Sequence, residues 1–490
     1  MTIISESLTY NYELVVGLEV HVQLSTESKI FSTDSAGFGA GPNEHISPVS
    51  LGLPGTLPKL NKKVVEYAIK MGLATNCSIN LLTHFDRKNY FYADLPKGFQ
   101  TTQDSSPICQ SGFIDVKADD HSTRRVRIHR IHMEDDAGKS MHDQDEFDSL
   151  IDLNRAGVPL IEIVSEPDIR SSREAAAYLT EIRKLVKYLD ICDGNMEEGS
   201  IRCDANISVR QRGSSEYGNR CEVKNLNSIR NLQRAIEYEF KRQTELIERG
   251  VYIEQNTLNF DAETGNTSPL RSKEMANDYR YFPEPDLQPL VLEQKYIEDL
   301  AAELPELPSK KIERYTTVFG LSEYDAILLS SEQEIANYFD ELSAITAHFK
   351  AAANWVIGPL RTYLHDNHKP ITAFPLKPEQ LSDLISLIDQ GKLNYSVAAQ
   401  QVFPELIKNP GLTAEKIASS MQLLIDTQGD ELSLLVDEIL NSYPDKVKEY
   451  QNGKKGVLGL FMGDLMKKTK GKINPQLASK LVINKLESKA

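Results

Sequence analysis

From Glu13 to Leu24 apolar and polar positions alternate. Leu14, Val16, Leu18, Val20, Val22 and Leu24 fall on even positions, and Glu13, Val15, Gly17, Glu19, His21 and Gln23 on odd ones. A period of two predicts a strand with one face in a core and one face open to chemistry, with Glu19 and His21 adjacent on the open face. The pattern returns after residue 200, where Ile201, Cys203, Ala205, Ile207 and Val209 alternate with Arg202, Asp204, Asn206, Ser208 and Arg210. A loop with Gly213 and Gly218 follows, and then Cys221 and Val223 alternate with Glu222 and Lys224. These runs predict an antiparallel hairpin whose polar face holds Asp204 and Glu222 within reach of one ion. In VRIHRIHMEDDAGKS, alternation puts Arg130, His132 and Glu134 on one face. Glu162 stands inside the apolar run VPLIEIV. A buried, unpaired carboxylate is costly or shifts its pKa, so a cation or metal is expected beside it.

Period-3.6 segments follow the strands. SSREAAAYLTEIRKLVKYL opens with a capping box from Ser171 to Glu174. NLQRAIEYEFKRQTELIERG ends on Gly250, a suitable C′ residue. Near residue 300 the texture changes. PEPDLQPLVL and LPELPS discourage regular structure, Ser309 fits the N-cap of the next helix, and nearly everything beyond reads as helix. Pro378, Pro404 and Pro410 punctuate the stretch to about Leu412, and a further helical unit begins near residue 420. At about 150 residues per domain, the 490 residues suggest roughly three domains.

Composition narrows the class. With 40% hydrophobic and 26% charged residues the chain is globular. No stretch approaches the ~18 uncharged apolar residues of a membrane span. The N-terminus lacks the features of a signal peptide. Five cysteines (Cys77, Cys109, Cys192, Cys203 and Cys221), none in a CxxC pair, argue against a disulfide framework and a zinc finger. A reducing cytoplasm is expected. The net charge of −16 opposes non-specific nucleic-acid binding. Yet Asp445–Ala490 holds 11 Lys against four acids, a net of +7, so the rest carries −23. Such a tail suits a polyanion; a lysine-coated solvated helix is the plain alternative.

Several nucleotide and hydrolase motifs fail. DDAGKS ends like a phosphate-binding loop, but Met133 stands where its first glycine is required. There is no GxGxxG, no GxSxG and no glycine- and serine-rich amidase loop. What remains is a set of hard oxygen ligands with one imidazole: Glu19, His21, Glu134, Glu162, Asp204 and Glu222. Without thiolates, this set suits Mg²⁺ or Mn²⁺ better than zinc, and Mg²⁺ suits a triphosphate. Lys139, Arg202, Lys224 and Arg280 are basic groups able to hold phosphates or a carboxylate. Read individually, each acid is also compatible with a surface or ion-paired role.

The segments VVGLEVHVQL, DRKNYFYADLPKGFQ, HMEDDAGKS, DLNRAGVPLIEIVSEPDIR, MEEGSIRCDANISVR, EVKNLNS and DYRYFPEPDL occur in one order along the chain. Together they closely resemble the B-subunit family of aspartyl/glutamyl-tRNA amidotransferases, and GLFMGDLMKKTKGKINPQL resembles that family's tRNA-binding tail. The resemblance implies an α+β architecture: a β-rich antiparallel-sheet cradle at 1–300, an all-α domain at 301–420 and a small all-α tail at 421–490. It implies a heterotrimer with a glutaminase A-subunit and a small C-subunit. It implies ATP-dependent phosphorylation of the side-chain carboxylate of Glu on misacylated tRNA-Gln, or of Asp on tRNA-Asn, followed by amidation with ammonia from the glutaminase. By motif, Glu19, His21, Glu134, Glu162, Asp204 and Glu222 would hold two Mg²⁺ ions, with Asp135 the rival to Glu134. Lys88 would lie on the ammonia path, against a structural ion pair with Asp86 or Asp94. Lys454, Lys455, Lys467, Lys468, Lys470 and Lys472 would face the tRNA backbone. The chain departs from the family's zinc pattern: FSTDS and SPVS put Ser32, Ser47 and Ser50 where many members have cysteines. Hydroxyls do not replace thiolates in a structural zinc site, so no zinc is expected. Two readings from other classes remain: a non-catalytic tRNA-binding scaffold, and a metallohydrolase acting without tRNA.

Overall fold

The computed structural model of the protein describes residues 11–118, 122–141, 144, 145, 147–271, 279–425, 429–469, 473 and 475–488. The chain divides into two compact units, Met1–Pro308 and Ser309–Ala490. The first is built on a nine-stranded sheet. Its strands are β1 (Tyr12–Gln23), β2 (Ser78–Ile79), β3 (Cys109–Lys117), β4 (Thr123–Asp135), β5 (Pro159–Ser165), β6 (Ile201–Gln211), β7 (Cys221–Lys224), β8 (Thr257–Phe260) and β9 (Thr267–Arg271). Across the sheet they run 9-8-7-6-1-5-4-3-2, which sets β1 between β6 and β5.

Neighbours pair antiparallel, as the alternation predicts, with one exception: β7 and β8 are parallel. A parallel pair needs a crossover, and a helix between the two strands supplies it. The sheet is backed by α1 (Lys62–Ala74), α2 (Ser172–Tyr188) and α3 (Ile229–Glu248), the crossover helix. Val16, Leu18, Val20 and Val22 are fully buried in one core with Tyr178, Leu179 and Ile182 of α2 and Leu232 and Ala235 of α3. Burying each large aliphatic stabilises by about 1.5–3 kcal/mol. A one-residue slip of β1 would drive Glu19 and His21 into this core, so the register of the open face is strongly fixed. Close approach of α1 and the following turn to β3 requires glycine: a Cβ on Gly112 would sit 2.2 Å from Cys77 Sγ and 2.7 Å from the Thr75 carbonyl.

The helix ends follow their sequence signals with small shifts. The Ser171 side chain accepts from the Glu174 N–H at 3.1 Å, but the Glu174 carboxylate reaches one residue past the cap, to the Arg170 N–H at 2.8 Å. Gly250 closes α3 with φ +69°, donating to the Ile247 carbonyl. Ser309 is not a cap. The helix Pro308–Thr317 starts one residue earlier, on a proline whose fixed φ and missing N–H suit a first turn.

A smaller sheet of Asp86–Asn89, Phe99–Thr102 and Phe282–Pro283 stands at the end of β4. Thr102 Oγ1 donates to Glu134 Oε2 at 3.2 Å, and the Thr101 N–H donates to Asp135 Oδ1 at 2.8 Å. Among its described residues the second unit has helices joined by turns and no strand, and it contains two apolar clusters. One gathers around Trp355, Phe339, Leu360 and Leu381, and the other around Phe461, Leu465 and Val482. Among the described residues no helix is long and apolar enough to cross a membrane.

Candidate active site

The open face of the sheet is crossed by rows of polar residues. Arg202 of β6, His21 of β1, Glu162 of β5 and His132 of β4 are direct partners across four strands. Two residues along β1, the next row is Asp204, Glu19, Val164 and Arg130. Residues of one face repeat about every 7 Å along a strand, so the rows are side by side. Two groups of ligand atoms result, each within 4.8 Å of one another: His21, Glu134 and Glu162, and Glu19, Asp204 and Glu222. The acids and the imidazole singled out by alternation therefore come together from five strands.

In the first group His21 Nε2 lies 3.2 Å from Glu162 Oε2 and 4.0 Å from Glu134 Oε1. His132 Nε2 lies 3.6 Å from Glu162 and 3.7 Å from Glu134. Burial opposes the charge of His21, but the hydrogen bond to Glu162 and the charges of Glu162 and Glu134 outweigh it and push its pKa up to about 9. Burial raises the Glu162 pKa, but His132, His21 and Lys88 outweigh it and hold the carboxyl well below the usual range. His132 is a site residue that alternation placed on this face without a role. It is 3% exposed, and its Nδ1 is buried with no hydrogen-bond partner among the described residues.

In the second group Lys224 Nζ sits between Asp204 Oδ2 at 2.6 Å and Glu222 Oε1 at 2.8 Å. Asn206 Nδ2 donates to Glu19 Oε1 at 2.8 Å. Burial, and then the charges of Glu162, Glu222 and Asp204, raise the Glu19 pKa. The concentration of carboxylates thus disfavours its own ionisation, which a divalent cation would relieve. Oxygen donors dominate both groups, and Lys224 already holds a cationic position between two of the acids. On these observations the residues fit hard divalent cations.

The other candidates fall out differently. Asp135 joins neither group. Alternation turns it away from Glu134, and its carboxylate is held by Lys97 Nζ at 2.5 Å and the Thr101 N–H. Among the described residues Lys88 makes no ion pair with Asp86 or Asp94; its ammonium lies over the rings of Tyr279 at 5.1 Å and Tyr90 at 5.6 Å, and its charge helps to lower the Glu162 pKa. Arg202 donates to Asp136 Oδ2 at 2.9 Å, which also accepts from Gln23 Nε2 at 2.7 Å and neighbours Arg155. No local pattern marks Asp136 as an anchor, because its partners lie far from it in sequence. Lys139 is exposed on the short strand Lys139–Met141, and Arg280 is exposed with φ +46°; both lie outside the two groups. In the tail, Lys454 and Lys455 are exposed ahead of the helix Leu458–Lys468, and Lys467 and Lys468 are exposed at its end, Lys468 paired with Glu438 at 2.9 Å. Lys470 and Lys472 lie outside the described residues.

Ser32, Ser47 and Ser50, the serines of FSTDS and SPVS, converge on Asp34. Ser47 Oγ donates to Asp34 Oδ2 at 2.8 Å, Ser32 Oγ at 3.1 Å, and Ser50 Oγ is also bonded to it. Burial, the largest single effect, raises the Asp34 pKa, but the three hydroxyls and Lys29 together outweigh it and lower it.

Residues 14–298 match the model of the GatB/GatE catalytic domain, and residues 337–486 match that of the GatB domain. Curated relatives are similar over nearly their whole length. The B subunit of aspartyl/glutamyl-tRNA(Asn/Gln) amidotransferase from Thermodesulfovibrio yellowstonii is 48% identical over 476 residues, covering 97% of this chain and 99% of the relative. That of Geobacter sulfurreducens is 48% identical over 480 residues, covering 97% and 100%. With the catalytic-domain match spanning every ligand-bearing strand and the relatives aligned nearly end to end, the chain belongs to the B-subunit family of aspartyl/glutamyl-tRNA(Asn/Gln) amidotransferase.

Proposed function

We propose that this chain is the component of a tRNA-dependent amidotransferase that activates the side-chain carboxylate of Glu on misacylated tRNA-Gln, or of Asp on misacylated tRNA-Asn, with ATP and Mg²⁺. The γ-phosphoryl group passes to a carboxylate oxygen and ADP leaves. Ammonia then forms a bond to the carboxyl carbon, the acyl–phosphate bond breaks, and one proton is lost as the amide forms and inorganic phosphate departs. Ammonia comes from a separate glutaminase subunit, which agrees with the missing amidase motif here, and a third, small subunit completes the complex. The observation that carries this reading is the convergence of two oxygen-rich ligand groups on one sheet face.

In this reading Glu19, Asp204 and Glu222 hold one metal position and His21, Glu134 and Glu162 the other. Bound Mg²⁺ neutralises charge on the phosphates during transfer. The protein's own groups do the rest. Asn206 fixes the Glu19 carboxylate, and Thr102 fixes Glu134. Lys224, now bonded to Asp204 and Glu222, would be available to phosphate oxygens if a metal neutralised those acids. Arg202, anchored by Asp136, presents the rest of its guanidinium beside His21. Lys88, held over two tyrosine rings, lies on the approach of ammonia. The lysines of the 421–490 tail hold the tRNA body. The complex works in the cytoplasm, where aminoacyl-tRNA is made.

The test is the assembled complex supplied with glutamine, ATP and Mg²⁺ and each misacylated tRNA. ADP formation dependent on misacylated tRNA, with Gln-tRNA or Asn-tRNA as product, is expected. Amide formation without ATP, or ATP hydrolysis indifferent to the aminoacyl group, would overturn the reading.

A further inference from the structure

The open face of β4 does not end at the ligand groups. Arg125, Arg127 and His129 point outward at successive alternate positions. A bulge opposite Val164 and Ser165 then passes the same face to Arg130, and His132 and Glu134 carry it into the site. Arg130 stands in the row of Val164, Glu19 and Asp204. The four basic residues line a groove of about 600 Å³, together with Asp104, Ser105 and Gln110. The proposed catalysis assigns none of them.

Each basic head is held in place. Arg125 Nε and Nη2 bond Asp115 at 2.8 and 2.9 Å, and its guanidinium lies 3.6 Å over the Phe113 ring. Arg127 Nε and Nη2 bond Asp168 at 2.8 and 2.7 Å. His129 Nδ1 lies 3.0 Å from Glu166, and Arg130 Nη1 donates to the Asp104 carbonyl at 3.2 Å. These pairs fix the heads without covering them: Arg127 and His129 are each 61% exposed. The forks use Nε and Nη2, so Nη1 of Arg125 and of Arg127 points elsewhere. Alternate residues on a strand repeat about every 7 Å, a spacing that suits successive phosphates of an extended single strand rather than the closer, paired backbones of a duplex. Carboxylates beside each of these heads weaken each contact, which suits a strand that must leave after each turnover.

We propose that this groove holds the single-stranded 3′ end of the aminoacyl-tRNA, with successive phosphates against Arg125, Arg127 and His129 and the aminoacyl group delivered past Arg130 to the ligand groups. The proposal rests on the reading that aminoacyl-tRNA is the substrate. Phosphate contacts of this kind position the strand and read no sequence.

The test uses the complete complex and two RNAs: the intact tRNA and the same tRNA trimmed of its unpaired 3′ nucleotides. R125Q/R127Q is expected to weaken binding of intact tRNA about tenfold and to reduce the slope of log affinity against log salt by about 1.4, at ~0.7 per single-strand phosphate contact. Trimmed tRNA is expected to bind the parent and R125Q/R127Q alike, because the contact has already been removed. R125K/R127K, which keeps the charges, is expected to recover most of the affinity. The control K241Q, on the helix behind the sheet, changes charge away from the groove and is expected to leave tRNA binding unchanged. Equal losses on both RNAs, or unchanged affinity in R125Q/R127Q, would overturn the assignment. If the parent complex fails to bind intact tRNA at all, the functional reading itself falls; if it binds and R125Q/R127Q is indifferent, the groove assignment alone falls.

Discussion

His21 and Glu162 face each other in register across β1 and β5, with Nε2 3.2 Å from Oε2, at the centre of one of the sheet's polar rows. The pair gives the metal-free chain a specific pH response. The His21 pKa rises from 6.5 to about 9 on folding. Its contribution to stability is therefore full below pH 6.5 and is lost as the pH climbs through 9. Glu162, held low, loses its contribution only in acid and does not vary in this window. Denaturation midpoints measured in EDTA from about pH 6 to about pH 9.5 should fall toward the alkaline end, and H21Q should flatten that part of the profile. An H21Q profile as steep as the parent's would remove the pair from the explanation.

Substitution at the second ligand group separates metal chemistry from assembly. Glu19→Gln and Asp204→Asn preserve shape while removing one charge each. Loss of a ligand removes several kcal/mol of charge stabilisation, and about 1.4 kcal/mol is tenfold. ATP-dependent amidation by the complex should fall by roughly 100-fold or more, while the glutaminase activity of its partner is largely kept. Normal amidation at limiting Mg²⁺ in either variant would sink the assignment.

The Asp34 cluster makes a prediction about composition and one about stability. Elemental analysis of the purified chain should give less than one zinc per chain. Asp34→Ala leaves three hydroxyls without their shared acceptor and should destabilise the first unit by about 1–2 kcal/mol, a value at the low end for charged hydrogen bonds because Asp34 is only partly buried. One tightly held zinc, or an Asp34→Ala chain of unchanged stability, would contradict the role given to the serines.

In the tail, changing Lys454, Lys455, Lys467, Lys468, Lys470 and Lys472 to glutamine should raise the Kd of the complex for tRNA and make its salt dependence shallower. The apparent KM for misacylated tRNA should rise with it. If the lysines merely solvate a small bundle, affinities and slopes across a salt series will be identical.

Alternation makes the centre of the site readable. Glu19, His21, Asp204, Glu222 and Glu162 each interrupt or face away from an apolar run, and the sheet places them together. Glu134 and Asp135 are harder, because adjacent acids point to opposite faces and the bulge at His129 resets which one is open. The parallel pairing of β7 and β8 departs from the expected antiparallel sheet, although its cause is visible in the chain: the helix from Ile229 to Glu248 lies between the two strands, and a hairpin has no room for it. Asp136 and the carboxylates that clamp Arg125 and Arg127 depend on contacts that no local pattern records.

The serines around Asp34 have a consequence for the conditions this chain tolerates. If it holds no zinc, as predicted above, a loop tied by hydroxyls to a carboxylate would give a chelator nothing to strip and peroxide no ligand thiol to oxidise. The five thiols are buried, and burial holds Cys109 and Cys203 well above the ordinary thiol range and pushes Cys192 up to about 12, so little reactive thiolate forms at neutral pH. On the prediction of no zinc, zinc shortage would leave this loop folded.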